Sequence, residues 1–156
     1  MLVKFVTFLS FLCLYTSAYA CDFVTIPFQQ PPAYVVSYFS LDSDEEEVEA
    51  LLQEGSGQLQ FHANRYCDVF PFGSTISLTF EDHSLIGMTI HYKHHSDIIL
   101  SIAEKHFGQT TKRPNKDHSA SYYYRTRWQH NNQLDIMYVS DRIKGTAKET
   151  LIIQPN

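Results

Sequence analysis

Two stretches of alternating residues in the middle of the chain place the strongest constraint on its fold. Residues 74–80 and 85–92 each place an apolar side chain at every second position, and a polar turn at residues 81–84 separates them. Side chains of a strand point to opposite faces in turn, so the pattern predicts a β-hairpin with one buried face. We place Ile86 on that buried face, and Gly87 indicates a β-bulge or a close backbone approach.

Two helices are predicted from capping signals and from the spacing of apolar residues. Residues 43–46 form a capping box, in which a hydroxyl and a carboxylate satisfy free backbone N–H groups, and Gly55 follows as a typical end residue. Ser96 is placed to cap a second helix that ends at Gly108.

The remaining segments favour extended structure. They are rich in β-branched and aromatic residues or alternate in polarity, and they cover residues 23–28, 33–41, 121–128, 134–139 and 149–154. Helices that are separated along the chain from antiparallel strands are typical of the α+β class. We therefore predict one antiparallel sheet of about five strands, with one or two helices packed on one face.

The N-terminal segment has the features of a signal peptide. Lys4 supplies a positive charge, an apolar stretch follows, and small residues stand three positions and one position before Cys21, where signal peptidase requires them. The apolar stretch has about half the length of a bilayer span, which disfavours an uncleaved membrane anchor. We predict a cleaved signal peptide over 1–20 and a single small domain over 21–156, secreted or periplasmic, without a transmembrane segment after cleavage.

Cleavage would leave an even number of cysteines. Cys13 leaves with the signal peptide, and Cys21 and Cys67 remain in an oxidising compartment. A disulfide between them closes a loop of about 45 residues and contributes on the order of 4 kcal/mol. Cys21 also stands where a bacterial lipoprotein is acylated, although Tyr19 is bulky where that signal takes a small residue. A lipoprotein anchored through Cys21 is therefore the alternative.

The charge of the chain limits its partners. The formal net charge is −5, and removal of Lys4 makes it −6, which argues against attraction to nucleic acid. Seven acidic residues and no basic one lie between Asp42 and Glu54, whereas nine of the twelve Lys and Arg residues lie from Lys105 onward. The acidic run fits the first turns of a helix, where the helix dipole favours carboxylates.

No catalytic or metal motif stands out. His91, His94 and His95 are close in sequence, but their spacing differs from that of zinc sites, and no nucleophile elbow or phosphate-binding loop is present. We predict no metal and no cofactor. An enzyme whose site is assembled from scattered histidines and carboxylates remains the alternative.

The most informative surface is predicted for residues 121–128. Tyr122, Tyr124 and Trp128 share one face of that strand, and Tyr123, Arg125 and Arg127 share the other. Tyrosine and arginine dominate interface hot spots. Either this is an ordinary solvent-exposed face whose arginines pair internally with the acidic helix, or the face binds a protein or an anionic ligand. The leading hypothesis is a small exported non-enzymatic protein that binds a macromolecular partner through this face. Alternatives are a secreted or periplasmic enzyme and a lipid-anchored envelope factor.

Overall fold

The fold is described from a computed structural model, which describes residues 23, 25–94, 97–110, 122–143 and 146–156. The predicted signal peptide, Cys21 and Ser96 lie outside these residues. The elements follow in the order α1 Pro32–Tyr38, α2 Glu46–Glu54, β1 Gly57–His62, α3 Ala63–Tyr66, β2 Thr75–Glu81, β3 Ser84–Tyr92, α4 Ile98–Phe107, β4 Tyr122–His130, β5 Leu134–Ile143 and β6 Thr146–Pro155.

All six strands belong to one antiparallel sheet. Their order is β1-β2-β3-β6-β5-β4, so the last strand of the chain lies between β3 and β5 at the centre. The strands β1 and β4 form the two edges of the described sheet. The predicted α+β class with one antiparallel sheet is confirmed, and the described sheet has six strands in place of about five, because the sequence pattern does not predict β1. Its glutamines at Gln58 and Gln60 are exposed, and only Leu59 is fully buried.

The sheet has a covered face and an open face. On the covered face, buried side chains from five strands pack with buried side chains of the helices in one core, and they include Leu59, Leu78, Ile90, Tyr138, Leu151 and Ile153 from the strands and Val35, Leu51, Ile99 and Ala103 from the helices. The side chains that alternate with these along the strands form the open face. The helical content exceeds the prediction of one or two helices, because α1 and the four-residue α3 also contribute to the core.

The predicted hairpin is confirmed as β2 and β3, and it contains a bulge. Thr79 pairs with Gly87 and Phe80 pairs with Leu85, so Ile86 is the extra residue. The bulge turns Leu85 into the core, where it is 0% exposed, and leaves Ile86 37% exposed. The placement of Ile86 on the buried face was therefore wrong, since the alternation changes phase at the bulge.

The prediction of an extended segment at residues 33–41 is wrong. Pro32 occupies the first turn of α1, where its fixed φ favours a helix, and Val35, Val36 and Phe39 form one buried stripe. Packing of that stripe outweighs the β-propensity of the valines.

The predicted ends of the other helices are confirmed, whereas the predicted capping box is not observed. The helix α2 ends at Gly55 with φ 71°, and α4 ends at Gly108. The residue at the N-cap of α2 is Glu45, and no side chain caps that end.

A carboxylate from another element holds the start of α4. Glu149 of β6 is 0% exposed. It accepts hydrogen bonds from the backbone N–H groups of Asp97, at 2.8 Å, and Ile99, at 3.1 Å. Free N–H groups at a helix N-terminus favour an anion, so Glu149 replaces a local capping side chain.

Candidate functional site

The open face of β4 carries the three residues that the sequence singled out. Exposure alternates along the strand, with Tyr123, Arg125 and Arg127 exposed and with Tyr124 and Trp128 partly buried against the core. The predicted alternation is therefore confirmed from Tyr123 to Trp128, whereas the side chain of Tyr122 lies outside the described part of the chain, and Tyr123 is 64% exposed.

Asp135 fixes the position of Arg127. The guanidinium donates hydrogen bonds from Nε and from one terminal nitrogen to the two carboxylate oxygens of Asp135, on the neighbouring strand β5. The Arg127 side chain is 55% exposed and that of Asp135 is 13% exposed. A two-point pair of this kind holds the guanidinium plane in one orientation.

The same pair shifts the pKa values of both groups. The hydrogen bond from Arg127 is the largest cause that lowers the pKa of Asp135, and a hydrogen bond from Gln154 and the charge of Arg125 act in the same direction. The hydrogen bond to Asp135 raises the pKa of Arg127. The pair therefore stays ionised and leaves little net charge on this part of the surface.

Arg125 is in a different situation from Arg127. It lies opposite Val139 in the β4–β5 register, and no hydrogen bond or ion pair of its side chain is found within the described part of the chain. Its charge acts on Asp135 only through space. Arg125 is therefore the more available of the two cations for a partner.

An apolar strip runs beside the arginines. Met137 and Val139 of β5 lie opposite Arg127 and Arg125, and Ile152 of β6 lies opposite Met137. All three apolar side chains are half-buried on the open face. We call Tyr123, Arg125, Arg127, Asp135 and this strip the arginine patch. An apolar centre with a polar rim is the usual anatomy of a protein interface.

The acidic helix lies at the other edge of the sheet. The helix α2 contacts β1, whereas the arginines lie on β4, and five strand spacings of about 4.8 Å separate the two edges by roughly 24 Å. Exposed charges are screened over about 8 Å at physiological salt. The interpretation that these arginines pair with the acidic helix is therefore wrong, and Asp135 is the internal partner of Arg127.

Sequence reasoning missed Asp135 as a site residue. The alternation of residues 134–139 places Asp135 on the same face as Met137 and Val139, which was a usable signal. The sequence alone does not show the pairing register of β4 and β5, in which Asp135 lies diagonally across from Arg127.

The described histidines are dispersed over both sides of the sheet, and His95 of the predicted histidine cluster lies outside the described residues. His91 lies on the open face, where Nδ1 is 3.2 Å from the Thr150 hydroxyl oxygen, and burial and the charge of Lys148 lower its pKa. His106 packs against Phe23 in the core region, and His130 packs against Phe107. Within the described residues, no three His, Cys, Asp or Glu side chains are grouped to hold a metal ion.

The region around Cys67 concerns the predicted disulfide. Cys67 is 4% exposed, and its predicted partner Cys21 lies outside the described residues, so the bond stays a prediction. Phe23 is 2% exposed, and its ring lies 5.8 Å from that of Phe70. Because of this contact, Phe23, which lies two residues after Cys21, is close to the segment that contains Cys67.

Comparison with known proteins finds no matching family model, no matching curated protein and no matching solved structure. In the part of the chain that the structure describes, no helix has the length and hydrophobicity needed to cross a bilayer.

Proposed function

We propose that this chain is a small exported, non-enzymatic protein that binds a protein partner through the arginine patch. The observation that carries the proposal is the combination of an exposed Tyr123 and an available Arg125 beside a half-buried apolar strip, on a sheet face that no described helix covers. Tyrosine and arginine around an apolar centre are the residue types that contribute most to binding energy.

The geometry of the patch favours a partner segment with a carboxylate beside an apolar side chain. The apolar side chain would cover Met137 and Val139, and the carboxylate would pair with Arg125. Arg127 is already oriented by Asp135, so little side-chain entropy is lost there on binding.

The proposal of export rests on the N-terminal segment and on Phe23. A cleaved chain would begin at Cys21, and the buried Phe23 would then anchor its first residues in the core. A disulfide between Cys21 and Cys67 would lock this anchor. Acylation of Cys21 would instead attach the folded body to a membrane with almost no linker, which makes the disulfide the better fit.

Intact mass of the protein from its native compartment tests export and the fate of Cys21. We expect a mass that begins at Cys21 and is two hydrogens lighter than the reduced chain. A mass that begins at Met1 would contradict export, and a mass increased by acyl chains would contradict the soluble form.

Site-specific crosslinking tests the binding surface. A photoreactive phenylalanine analogue in place of Tyr123 is expected to trap the partner in the native compartment, and the trapped protein is then purified for affinity measurements. Arg125→Glu should weaken binding about tenfold or more, which corresponds to about 1.4 kcal/mol. The matched control is Lys105→Glu on α4, an exposed cation away from the open face.

Two results would contradict the proposal. One is an unchanged affinity of Arg125→Glu, with circular dichroism showing a native fold. The other is an equal loss in Lys105→Glu, because this would indicate a general effect of charge in place of a local contact.

A further inference from the structure

A pocket separate from the arginine patch lies at one end of the sheet, on the side of the covered face. It is a pocket of about 350 Å³ between the segment that precedes α1 and the strand ends at Leu134 and Pro155. This volume lies near the lower end of the range of roughly 300–1,000 Å³ that small-molecule sites occupy. We call it the end pocket.

The end pocket lies far from the arginine patch. Leu134 and Pro155 pair at the start of β5 and the end of β6, whereas Tyr123 pairs with Asp141 near the other end of β5. Seven residues along a strand separate Leu134 from Asp141 by roughly 24 Å. The two sites also use opposite faces of the sheet, so either can be tested without the other.

Two kinds of side chain line the end pocket. Apolar residues, among them Phe28, Leu134 and Pro155, are half-buried or buried and form part of the lining. The polar lining side chains are all carboxamides, and they include the exposed Gln29, Asn132 and Gln133. No ionisable side chain is found among the described residues that line it.

Backbone hydrogen bonds fix both walls of the end pocket. The N–H of Gln29 donates to the carbonyl of Leu85 at 2.9 Å, and the N–H of Leu85 donates to the carbonyl of Gln30 at 3.0 Å. On the other wall, the N–H of Asn156 donates to the carbonyl of Gln133 at 2.9 Å. The carboxamides are thus carried by backbone that is already ordered, which lowers the entropic cost of binding a ligand.

This chemistry favours a ligand with hydroxyl groups over an anionic one. Each carboxamide offers two donors and one acceptor, which match hydroxyl groups that both donate and accept. An anionic ligand would find no positive side chain among the described residues of the lining, and burial of an unpaired charge is unfavourable. The apolar residues of the lining, Phe28 among them, suit an apolar C–H surface. A pyranose ring combines a C–H face with a hydroxyl edge.

We propose that the end pocket binds a neutral saccharide, with the carboxamides holding its hydroxyl groups and the ring of Phe28 contacting its C–H face. The source is a free monosaccharide or the end of a glycan chain. This site is additional to the arginine patch and does not rest on the partner proposed there.

NMR titration of the isotopically labelled mature protein tests the proposal. The probes are glucose, galactose, mannose and N-acetylglucosamine, each with its methyl glycoside, and glucuronate is the charged comparison. We expect saturable shifts of the side-chain NH₂ signals of Gln29, Asn132 and Gln133 with at least one neutral probe. Equal binding of a sugar and its methyl glycoside indicates the end of a glycan, and loss of binding in the glycoside indicates a free monosaccharide.

Isosteric variants make the test specific. Gln133→Glu places a negative charge in the lining with almost no change of shape, and we expect it to weaken the binding of the neutral probe at least tenfold. Gln60→Glu on β1 is the matched control and should bind like the wild type, as should Arg125→Glu. The proposal is overturned if no neutral probe gives saturable shifts at these carboxamides, if glucuronate binds equally well, or if Gln133→Glu binds unchanged.

Discussion

Glu149 and Asp135 are carboxylates on neighbouring strands that lie on opposite faces of the same sheet. Glu149 is 0% exposed and accepts two backbone hydrogen bonds from the start of α4. Asp135 lies on the open face and accepts its hydrogen bonds from Arg127, a side chain that is 55% exposed. The two groups are chemically similar, but only Glu149 is cut off from water.

The difference in burial distinguishes side chains that stabilise the fold from side chains that determine the properties of the surface. Removal of a buried carboxylate leaves buried N–H groups without a partner, whereas removal of an exposed partner leaves groups that water can solvate. The influence of Glu149 extends to its neighbours, since burial and the charge of Glu149 raise the pKa of Tyr138. We therefore expect substitutions on the covered face to change stability and those on the arginine patch to change recognition.

The largest effect is expected for Glu149→Ala. Two N–H groups at the start of α4 lose their acceptor, and we expect a loss of about 3 kcal/mol in the free energy of unfolding. Glu149→Gln should lose less, because its amide oxygen still accepts. Urea denaturation at neutral pH measures both variants.

The control for this prediction is Glu54→Ala, which removes an exposed carboxylate from the last residue of α2. It should leave stability nearly unchanged. If Glu149→Ala unfolded at the same urea concentration as the wild type, the contrast between the buried and the exposed carboxylates would be broken.

A smaller loss of stability is expected for a substitution at Gly55, where the turn of the β2–β3 hairpin approaches the end of α2. Gly55 has φ 71°, and a Cβ at this position would lie 2.0 Å from Nδ1 of His83. Gly55→Ala is therefore expected to cost about 1–2 kcal/mol from the left-handed backbone alone, with a further cost from displacement of the imidazole. Thermal denaturation measures the loss.

Two further variants separate the backbone cost of Gly55→Ala from its steric cost. Gly73 has φ 87°, and a Cβ there would meet nothing within 4 Å, so Gly73→Ala isolates the backbone cost. Gly55→Ala combined with His83→Ala should recover the steric part. Equal losses for Gly55→Ala and Gly73→Ala would show that the contact with His83 contributes nothing.

Features that depend on local sequence pattern could be predicted, whereas features that depend on packing could not. The hairpin, the helix ends at Gly55 and Gly108, and the alternation of β4 depend on local pattern, and each was predicted. The α1 helix was missed because its valines favour strands and only packing makes it helical.

The missed parts of the site depend on contacts between distant residues. The role of Asp135 follows from the register of β4 and β5, and the separation of the acidic helix from the arginines follows from the strand order. Composition had suggested that those charges would meet. Charge counts carry no information on topology, so this interpretation could be decided only by the fold.

The smallest effect on stability, and the sharpest test of the arginine patch, is expected for Arg127→Ala. Arg127 is the largest cause of the lowered pKa of Asp135, so the variant should return that pKa toward the ordinary value of about 4. A carboxyl whose pKa is lowered by folding stabilises the folded state above its unfolded pKa, and this contribution is lost as the pH falls through the folded pKa. Stability at neutral pH should change little, because the Arg127 side chain is 55% exposed and its removal lets water solvate the Asp135 carboxylate. Carbon-detected NMR titration of the Asp135 carboxyl below pH 5 measures the shift, and Asp141 on the same strand is the internal control.

The charge-swapped variant Arg127→Asp with Asp135→Arg should keep the fold and weaken the binding of the partner proposed for the arginine patch. If the pKa of Asp135 stays low in Arg127→Ala, another group orders the patch, and the role assigned to Arg127 is wrong.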